Sequence, residues 1–132
     1  MPHSLTKREI LRGYQAFSHT ISSGRSLRKG SMRCFYRTHA ENGTLPRVGF
    51  AVSRNVRTAA ARNRVRRWMR ESYRIRKEFL IEPTAKQAAR FDVVFLFSVP
   101  SNQVLDRQIR TSIDQAISSL LKELHQRFSE TP

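Results

Sequence analysis

The chain has 132 residues and a large excess of positive charge, with 25 lysines and arginines against 10 acidic residues. No apolar run approaches the ~20 residues needed to span a bilayer, and the N-terminus lacks the apolar stretch of a secretory signal. We therefore expect no membrane span, and an anionic partner that is either nucleic acid or a membrane surface.

The length suits a single domain over residues 1–132, with frayed ends at about 1–4 and 129–132. Cys34 is the only cysteine, so no internal disulfide can form, which fits a reducing cytoplasm. The four histidines lack metal-ligand spacing, so we expect no structural zinc site. Residues 1–77 hold 19 basic and 3 acidic residues, and the rest of the chain holds 6 and 7. The first part should therefore form the electropositive surface.

The first predicted element is a helix near the N-terminus. Residues 6–9 fit a capping box, in which Thr6 and Glu9 satisfy each other's backbone amides through their side chains. Gly13 interrupts the helix, which either starts before Ile10 or begins again near Gly13. Its stripe either packs against a sheet or keeps an aromatic face on which nucleobases stack. The stripe consists of Ile10, Tyr14, Phe17 and Ile21.

Two strands are predicted after this helix. Residues 22–31, rich in Ser and basic residues, are predicted to form a mobile loop that contacts phosphate. Residues 32–39 and 47–53 show the alternation of strands, and a turn at 41–44 separates them. We expect these two strands to pair as an antiparallel hairpin, with Cys34 in the core.

Residues 57–77, called the arginine stretch below, hold nine basic residues and one acid, Glu71. The stretch has no Gly or Pro, and its alanines and arginines favour a helix. At ~100° per residue, the side expected to face the core holds Ala61, Val65, Trp68, Met69, Ser72, Ile75 and Phe79. The opposite side holds Arg62, Asn63, Arg66, Arg70, Arg74 and Lys77, with Arg64 and Arg67 at its edges.

Four arginines of the stretch are spaced four residues apart and repel one another, at a cost of a few tenths of a kcal/mol per pair. One interpretation is a solvated charged face, but such faces usually mix both signs. Guanidinium groups bind phosphate well because their planar fork donates two hydrogen bonds. The arginine stretch therefore predicts nucleic-acid binding, with Glu71 paired to Arg67 or Arg74.

The remaining predicted elements are a strand and a long helix. Residues 82–84, which include Pro83, are expected to end the helical region of the arginine stretch. Residues 91–99 are nearly all apolar and predict a buried strand, which residues 100–102 end. A helix with a clear apolar face then runs from about 104 to 128. The order helix–strand–strand–helix–strand–helix predicts an α/β protein, an α+β sandwich of helices on a mixed sheet with a βαβ crossover.

The sequence shows no self-sufficient active site. It lacks a Walker phosphate loop, a His-Glu metal motif and a nucleophile elbow. Residues 1–77 hold only three acids, too few for an obvious two-metal nuclease site. We therefore expect a binding protein with no catalytic residue and no metal site of its own.

Part of the arginine stretch resembles the signature of the bacterial ribonuclease P protein subunit. The matching residues are Ala59, Arg62, Asn63, Arg64, Val65, Arg66 and Arg67, followed by Arg70, Glu71 and Ser72. The resemblance is strong over residues 47–77 and looser towards both ends. Arg57 and Thr58 depart from it, because many members carry a glycine followed by a small or basic residue there.

This resemblance implies a left-handed crossover through the arginine stretch. It also implies an accessory subunit, monomeric within its holoenzyme, of a cytoplasmic ribonucleoprotein endonuclease. In that family a large RNA with bound Mg²⁺ performs the hydrolysis, and the protein alone is not expected to cleave. The protein binds this ribonuclease P RNA and the 5′ leader of precursor tRNA, and it screens the repulsion between their phosphates. The product is tRNA with a mature 5′ end.

The predicted contacts form two groups. The RNA-binding candidates, of which the last is the weakest, are Arg62, Asn63, Arg64, Arg66, Arg67, Arg70 and Arg74. Asn63 either fixes the geometry of an RNA contact or makes a local hydrogen bond on the helix surface. By resemblance, the candidates for a leader-binding cleft beside the helix are Phe17, Ile21, Tyr14, Tyr36 and Arg54. Tyr36 faces either this cleft or the core.

Four other functions share some of these features. A ribosomal or general RNA-binding protein has the same charge but does not require precursor tRNA. A DNA-binding helix reads bases with varied polar side chains, whereas this face is nearly all arginine. A stand-alone nuclease would cleave without an RNA subunit. A membrane-surface helix would expose Trp68 and Phe79, which the helical wheel places towards the core.

Overall fold

The computed structural model describes residues 5, 9–11, 13–39, 45–85, 90–99 and 105–130. The predicted turns at 41–44 and 100–102 and the capping residue Thr6 lie outside these ranges. In chain order the elements are α1 (Tyr14–Ser23), β1 (Arg25–Lys29), β2 (Met32–His39), β3 (Arg47–Val52), α2 (Ala59–Arg74), α3 (Glu78–Ala85), β4 (Arg90–Phe97) and α4 (Arg107–Glu130).

The four strands form one mixed sheet in the order β1-β2-β4-β3. β1 with β2 and β2 with β4 are antiparallel pairs, and β3 with β4 is a parallel pair. The parallel pair is connected through α2 and α3. The predicted α+β class, mixed sheet and βαβ crossover are therefore confirmed, while the hand of the crossover stays a prediction.

The predicted hairpin between residues 32–39 and 47–53 is wrong, because β4 lies between β2 and β3. β4 is rich in apolar residues, and its Val93, Val94 and Phe95 have no exposed surface. A strand that is buried on both faces belongs in the interior of a sheet, where helices can cover both sides. Burial of β4 therefore decides the strand order. It favours a central place for β4 over direct pairing of β2 with β3, which are neighbours along the chain.

The predicted loop at residues 22–31 is instead the end of α1 followed by an edge strand, β1. Only Leu27 of the five residues in β1 is buried, which leaves too weak an alternation to recognise in the sequence. Gly30, with φ of 59°, makes the tight turn into β2. Gly24 is required where α1 meets β1, because a Cβ there would overlap the carbonyl oxygen of Tyr36.

The first helix, α1, begins at Tyr14, after Ile10, the first residue of the predicted apolar stripe. Ile10 forms an isolated parallel bridge with Val48, and the amide of Leu11 donates to the carbonyl of Val48 at 3.0 Å. α1 starts directly after Gly13, whose φ of 91° suits glycine. The alternative start near Gly13 is confirmed, and the segment before it extends the edge of β3.

The helical region of the arginine stretch is divided in two. α2 ends at Arg74, a turn covers residues 75–77, and Pro83 lies inside α3, which it was expected to end. Proline has no N–H to donate to the carbonyl four residues earlier, which here is that of Phe79. The Nδ1 of His125 in α4 lies 2.9 Å from that oxygen. With its proton on Nδ1, the histidine supplies the hydrogen bond that the proline cannot make.

The main core lies between the sheet and the pair α2 and α4, with α3 packed on α4. Phe95 of β4 lies 6.1 Å from Phe50 and 6.4 Å from Tyr73 between ring centroids, which joins β3, β4 and α2. Cys34 is fully buried there as expected, and burial raises the pKa of its thiol well above the ordinary value. The opposite face of the sheet carries α1 over β2 and β4.

Candidate nucleic-acid interface

α2 has a buried side and a basic side, as its sequence predicts. The helix starts where the Thr58 hydroxyl accepts a hydrogen bond from the Ala61 amide at 3.0 Å. Ile75, predicted on the core side, is 47% exposed because the helix ends before it. The buried residues are Val65, Met69, Ser72 and Tyr73. On the basic side, Asn63, Arg64, Arg67 and Arg70 are exposed, and Arg62, Arg66 and Arg74 are half-buried.

Two arginines of this basic side are held in place by hydrogen bonds within the protein. Nη1 of Arg62 donates to the carbonyl of Val56 at 2.8 Å. Nη1 of Arg66 donates to Oδ1 of Asn63 at 2.7 Å. Asn63 thus makes a local hydrogen bond on the helix surface, and this bond orients Arg66. A guanidinium that is already held loses less conformational entropy when it binds a phosphate.

The single acid of the arginine stretch pairs with Arg74, which confirms one of its two predicted partners. Nε of Arg74 donates to Oε2 of Glu71 at 3.3 Å. This interaction lowers the pKa of the Glu71 carboxyl and raises the pKa of the Arg74 guanidinium. The Glu71 carboxylate offsets the charge of Arg74. Arg74 therefore adds the least net positive charge to the basic side.

The last two cations of the arginine stretch point into the protein. Lys77, predicted on the basic side, is buried instead, and its Nζ lies 3.0 Å from Oε2 of Glu9. The guanidinium of Arg76 donates to both carboxylate oxygens of Asp114 in α4, at 2.8 and 3.0 Å. The basic face therefore ends near Arg74.

The loop between β3 and α2 brings more arginines to the start of the basic face. Arg54 and Arg57 lie in this loop and are exposed. With Val52, Arg62 and Arg66 they line an open depression of about 550 Å³. No carboxylate of the described residues lines it, so its positive potential suits a phosphate group. Arg57 is absent from the predicted contacts, because only the folded loop brings it close to the arginines of α2.

The sheet face that carries α1 forms the second part of the candidate site. The ring of Phe17 lies directly on Gly49 of β3, where a Cβ would overlap it. Cross-strand partners place Gly49, Val94 and Phe35 in one row across the sheet. Phe35 is half-buried, and Ile21 of α1 is 37% exposed. Partly exposed apolar side chains on and beside this row suit the stacking of nucleobases.

Tyr36 does not lie on the sheet face that carries α1. It is 8% exposed on the opposite side of the sheet, where its ring packs edge-on against Phe128. Its hydroxyl accepts a hydrogen bond from Nη1 of Arg127 at 3.2 Å. Of its two predicted positions, Tyr36 therefore occupies the core, and Phe35 is the aromatic residue of β2 on the α1 side. The side chain of Tyr14 lies outside the described part of the chain.

The residues that the structure describes form neither a metal-binding cluster nor a membrane-spanning helix. No three His, Cys, Asp or Glu side chains in these ranges come together so that they could hold a metal ion. In the same ranges, no helix is both long enough and apolar enough to cross a membrane.

Comparison with known proteins gives matches to one family. A sequence model of the Ribonuclease P family matches residues 5–122. The ribonuclease P protein component of Chlorobaculum tepidum is 30% identical over 135 residues, which covers 92% of this chain and 88% of that protein. The solved RNase P protein of Staphylococcus aureus matches with a TM-score of 0.61 at 17% identity, over 85% of this chain and 94% of that one. The RNase P protein from Thermotoga maritima matches with a TM-score of 0.57 at 21% identity, over 95% and 99%. At these identities the two structures show a shared fold.

Proposed function

The chain belongs to the Ribonuclease P family, and we propose that it is the accessory protein subunit of a ribonuclease P ribonucleoprotein. It binds the ribonuclease P RNA through the basic face of α2, and the 5′ leader of precursor tRNA through the sheet face beside α1. The holoenzyme removes the leader by endonucleolytic hydrolysis and leaves a mature tRNA 5′ end. The protein acts as a monomer within this holoenzyme, in the cytoplasm.

The observation that carries the proposal is the unbalanced charge on α2. Its exposed Arg64, Arg67 and Arg70 form no salt bridge with a carboxylate of the described residues. Like charges gathered on one side of a helix raise its energy unless an anion binds there. RNA supplies phosphates at regular spacing, and their neutralisation releases counterions, which favours binding.

The leader-binding part of the proposal is supported by the surface beside α1. Single-stranded nucleic acid is bound where aromatic side chains can stack on bases and cations lie within reach of the phosphates. Phe17 and Phe35 offer the aromatic part of such a surface on one face of the sheet. Arg54 and Arg57 offer the cations where β3 leads into α2. Phe35 takes the role for which Tyr36 was a candidate.

We assign the Mg²⁺ of the reaction mainly to the RNA. Mg²⁺ takes oxygen ligands, usually with one or two carboxylates. The basic face carries guanidinium groups, and its single carboxylate, that of Glu71, is already bonded to Arg74. The protein contributes by neutralising phosphates of both RNAs, so that substrate and Mg²⁺ bind more readily. No side chain of the protein is assigned to bond cleavage.

Cleavage of a precursor tRNA at low Mg²⁺ tests this function. The three reactions contain the protein alone, a bacterial ribonuclease P RNA alone, or both together. We expect cleavage at the mature 5′ end only when both are present. A protein that fails to stimulate even a cognate RNA would be a general RNA-binding protein. Cleavage by the protein alone would contradict the accessory role.

A further inference from the structure

The β1–β2 hairpin carries a second concentration of positive charge, separate from α2. Residues 25–39 include five lysines and arginines and no acid. Alternation along the strands sorts four of these cations, all exposed, onto two faces. Arg25 and Lys29 lie on the face covered by α4, and Arg28 and Arg33 lie on the face that carries α1. Arg37, half-buried, lies on that face too, so the hairpin places three arginines on the same side of the sheet as Phe17, of which Arg28 and Arg33 are exposed.

Arg28 and Arg33 stand directly opposite each other as cross-strand partners. Like charges in directly opposed positions destabilise an antiparallel pair. Neither arginine forms a salt bridge with any carboxylate that the structure describes. Nε of Arg28 donates only to a neutral acceptor, the carbonyl of Gly30, at 3.3 Å. An anion bound across the two guanidinium groups would remove the repulsion between them.

The two arginines belong to a row of residues that crosses the whole sheet. Arg33 is paired with Leu96 of β4, and Leu96 is paired with Ala51 of β3. Leu96 and Ala51 are half-buried, so α1 leaves this row partly open. The row lies two residues along the strands from the row of Phe35, or about 7 Å away. It forms a partly apolar floor beside α1.

This floor connects the hairpin with the arginines near α2. At its β3 end the chain continues from Ala51 to Arg54 and Arg57. At its β1 end it meets Arg28 and Arg33. The four strands, spaced at about 4.8 Å, separate the two ends by about 14 Å. An apolar floor with cations at both ends matches a single strand whose bases lie on the floor and whose phosphates reach both ends.

We propose that Arg28 and Arg33 form a distal phosphate site for the leader of precursor tRNA, at the end of the cleft away from α2. The proposal rests on the proposed function, in which α2 holds the RNA that cleaves and the leader lies beside α1. The nucleotides bound at the hairpin are then those farther from the cleavage site. At about 3.4 Å per stacked nucleotide, the row of about 14 Å corresponds to about four nucleotides. Affinity should therefore depend on leader length.

The test uses two double variants of the full chain. Arg28→Gln with Arg33→Gln removes the two charges on the cleft side. Arg25→Gln with Lys29→Gln removes two charges from the same hairpin on the opposite face, and is the matched control. Each protein, with its fold verified by circular dichroism, is assembled with a cognate ribonuclease P RNA. Binding is measured over a range of salt with leaders of about two and about ten nucleotides, which fall short of and exceed the span of the row.

We expect the cleft-side variant to weaken binding of the long-leader substrate roughly tenfold. Its salt slope should fall by about 1.4 units, since each of two single-strand phosphate contacts contributes about 0.7. Binding of the short-leader substrate should stay unchanged, and the control variant should bind both substrates like the wild type.

Equal losses in the two variants, or equal losses with both leaders, would overturn the distal site. An unchanged preference for the long leader in the cleft-side variant would overturn it as well. A wild-type protein that shows no preference for the long leader would overturn leader binding by the cleft, and the distal site with it. The wild-type result therefore separates failure of the proposed function from failure of the hairpin site.

Discussion

The arginine stretch has two parts that are alike in sequence and different in use. From Arg62 to Arg74, its cations lie on the surface of α2, and the one acid of the stretch, Glu71, pairs with the last of them. Arg76 and Lys77 are paired with carboxylates that lie 38 and 68 residues away in the chain. The two parts of the stretch differ because Arg76 and Lys77 have carboxylate partners far away in the chain, not because their side chains are of a different kind. A count of arginines identifies a basic segment, and the folded chain decides which of them stay on the surface and which pair with carboxylates.

The paired cations also help to build the site. The Lys77–Glu9 pair joins the turn after α2 to the segment before α1, with both side chains less than a tenth exposed. Two residues after Glu9, the amide of Leu11 bonds to Val48 of β3. α1 follows and brings Phe17 onto Gly49. The buried pair thus positions the helix that forms one side of the proposed cleft.

The largest effect is expected for Lys77→Ala. The change removes the Lys77 ammonium from the buried Glu9 carboxylate, which should lower the free energy of unfolding by about 3–5 kcal/mol. Urea unfolding measures the loss. Replacing both partners by Leu and Met should recover much of it, because apolar residues of similar volume often substitute for a buried pair without cost. A loss below about 1 kcal/mol for Lys77→Ala would show that this ion pair does not stabilise the fold.

Substitution of the surface arginines should affect RNA binding and leave stability unchanged. Arg66→Ala or Arg70→Ala should weaken binding by about 1.5 kcal/mol, roughly tenfold, and lower the slope of log K against log salt by about one unit. Arg76→Ala is the matched control, because it removes the same charge from the same stretch but breaks the contact with Asp114. It should lower stability and leave the salt slope unchanged. Unchanged slopes for both Arg66→Ala and Arg70→Ala would refute the phosphate contacts.

The smallest effect is a pH dependence of stability from Asp114. Burial would raise the pKa of this carboxyl, but hydrogen bonds from Arg76 and Ser72 outweigh burial and lower the pKa. A carboxylate with a lowered pKa stabilises the fold above about pH 4, and this contribution is lost as the pH falls through the folded-state pKa. The side chain is 45% exposed, so the contribution should be about 0.5–1 kcal/mol.

Asp114→Asn tests this contribution by unfolding at a series of pH values. The difference in stability between wild type and variant should be largest near neutral pH and should shrink in acid. A difference that is constant with pH would assign the effect of the substitution to packing.

Periodicity predicted the elements that have a strong pattern of their own. The two sides of α2, the buried strand β4 and the apolar face of α4 all follow from residues that are close in sequence. β1 was missed because its one buried residue, Leu27, sits between exposed polar neighbours. The end of the helical region was placed too early, since Pro83 lies inside α3 and is accommodated by a histidine 42 positions later, His125, which bonds to the carbonyl of Phe79 at 2.9 Å.

The sequence likewise predicted only part of the candidate site. The grouping of the α2 arginines on one side of the helix was predicted because their signature and their helical spacing are local. For Tyr36 of β2, core and cleft were both left open, and the structure places it in the core, while Phe35 occupies the face that carries α1. Neighbouring residues of a strand point to opposite faces, so a choice that is one residue out exchanges core and cleft.

The sequence by itself determined the charge of this protein, its family signature and the helix that displays the arginines. These properties depend on composition and on the spacing of residues that are close in sequence. They are therefore the same however the helices and strands pack together. The tertiary structure alone decided that β4 separates β2 from β3, that Lys77 and Arg76 turn inward, and that Arg28 faces the same side as Phe17. Each of these outcomes depends on a partner far away in the chain, and such partners are chosen by burial and charge pairing only when the whole chain folds.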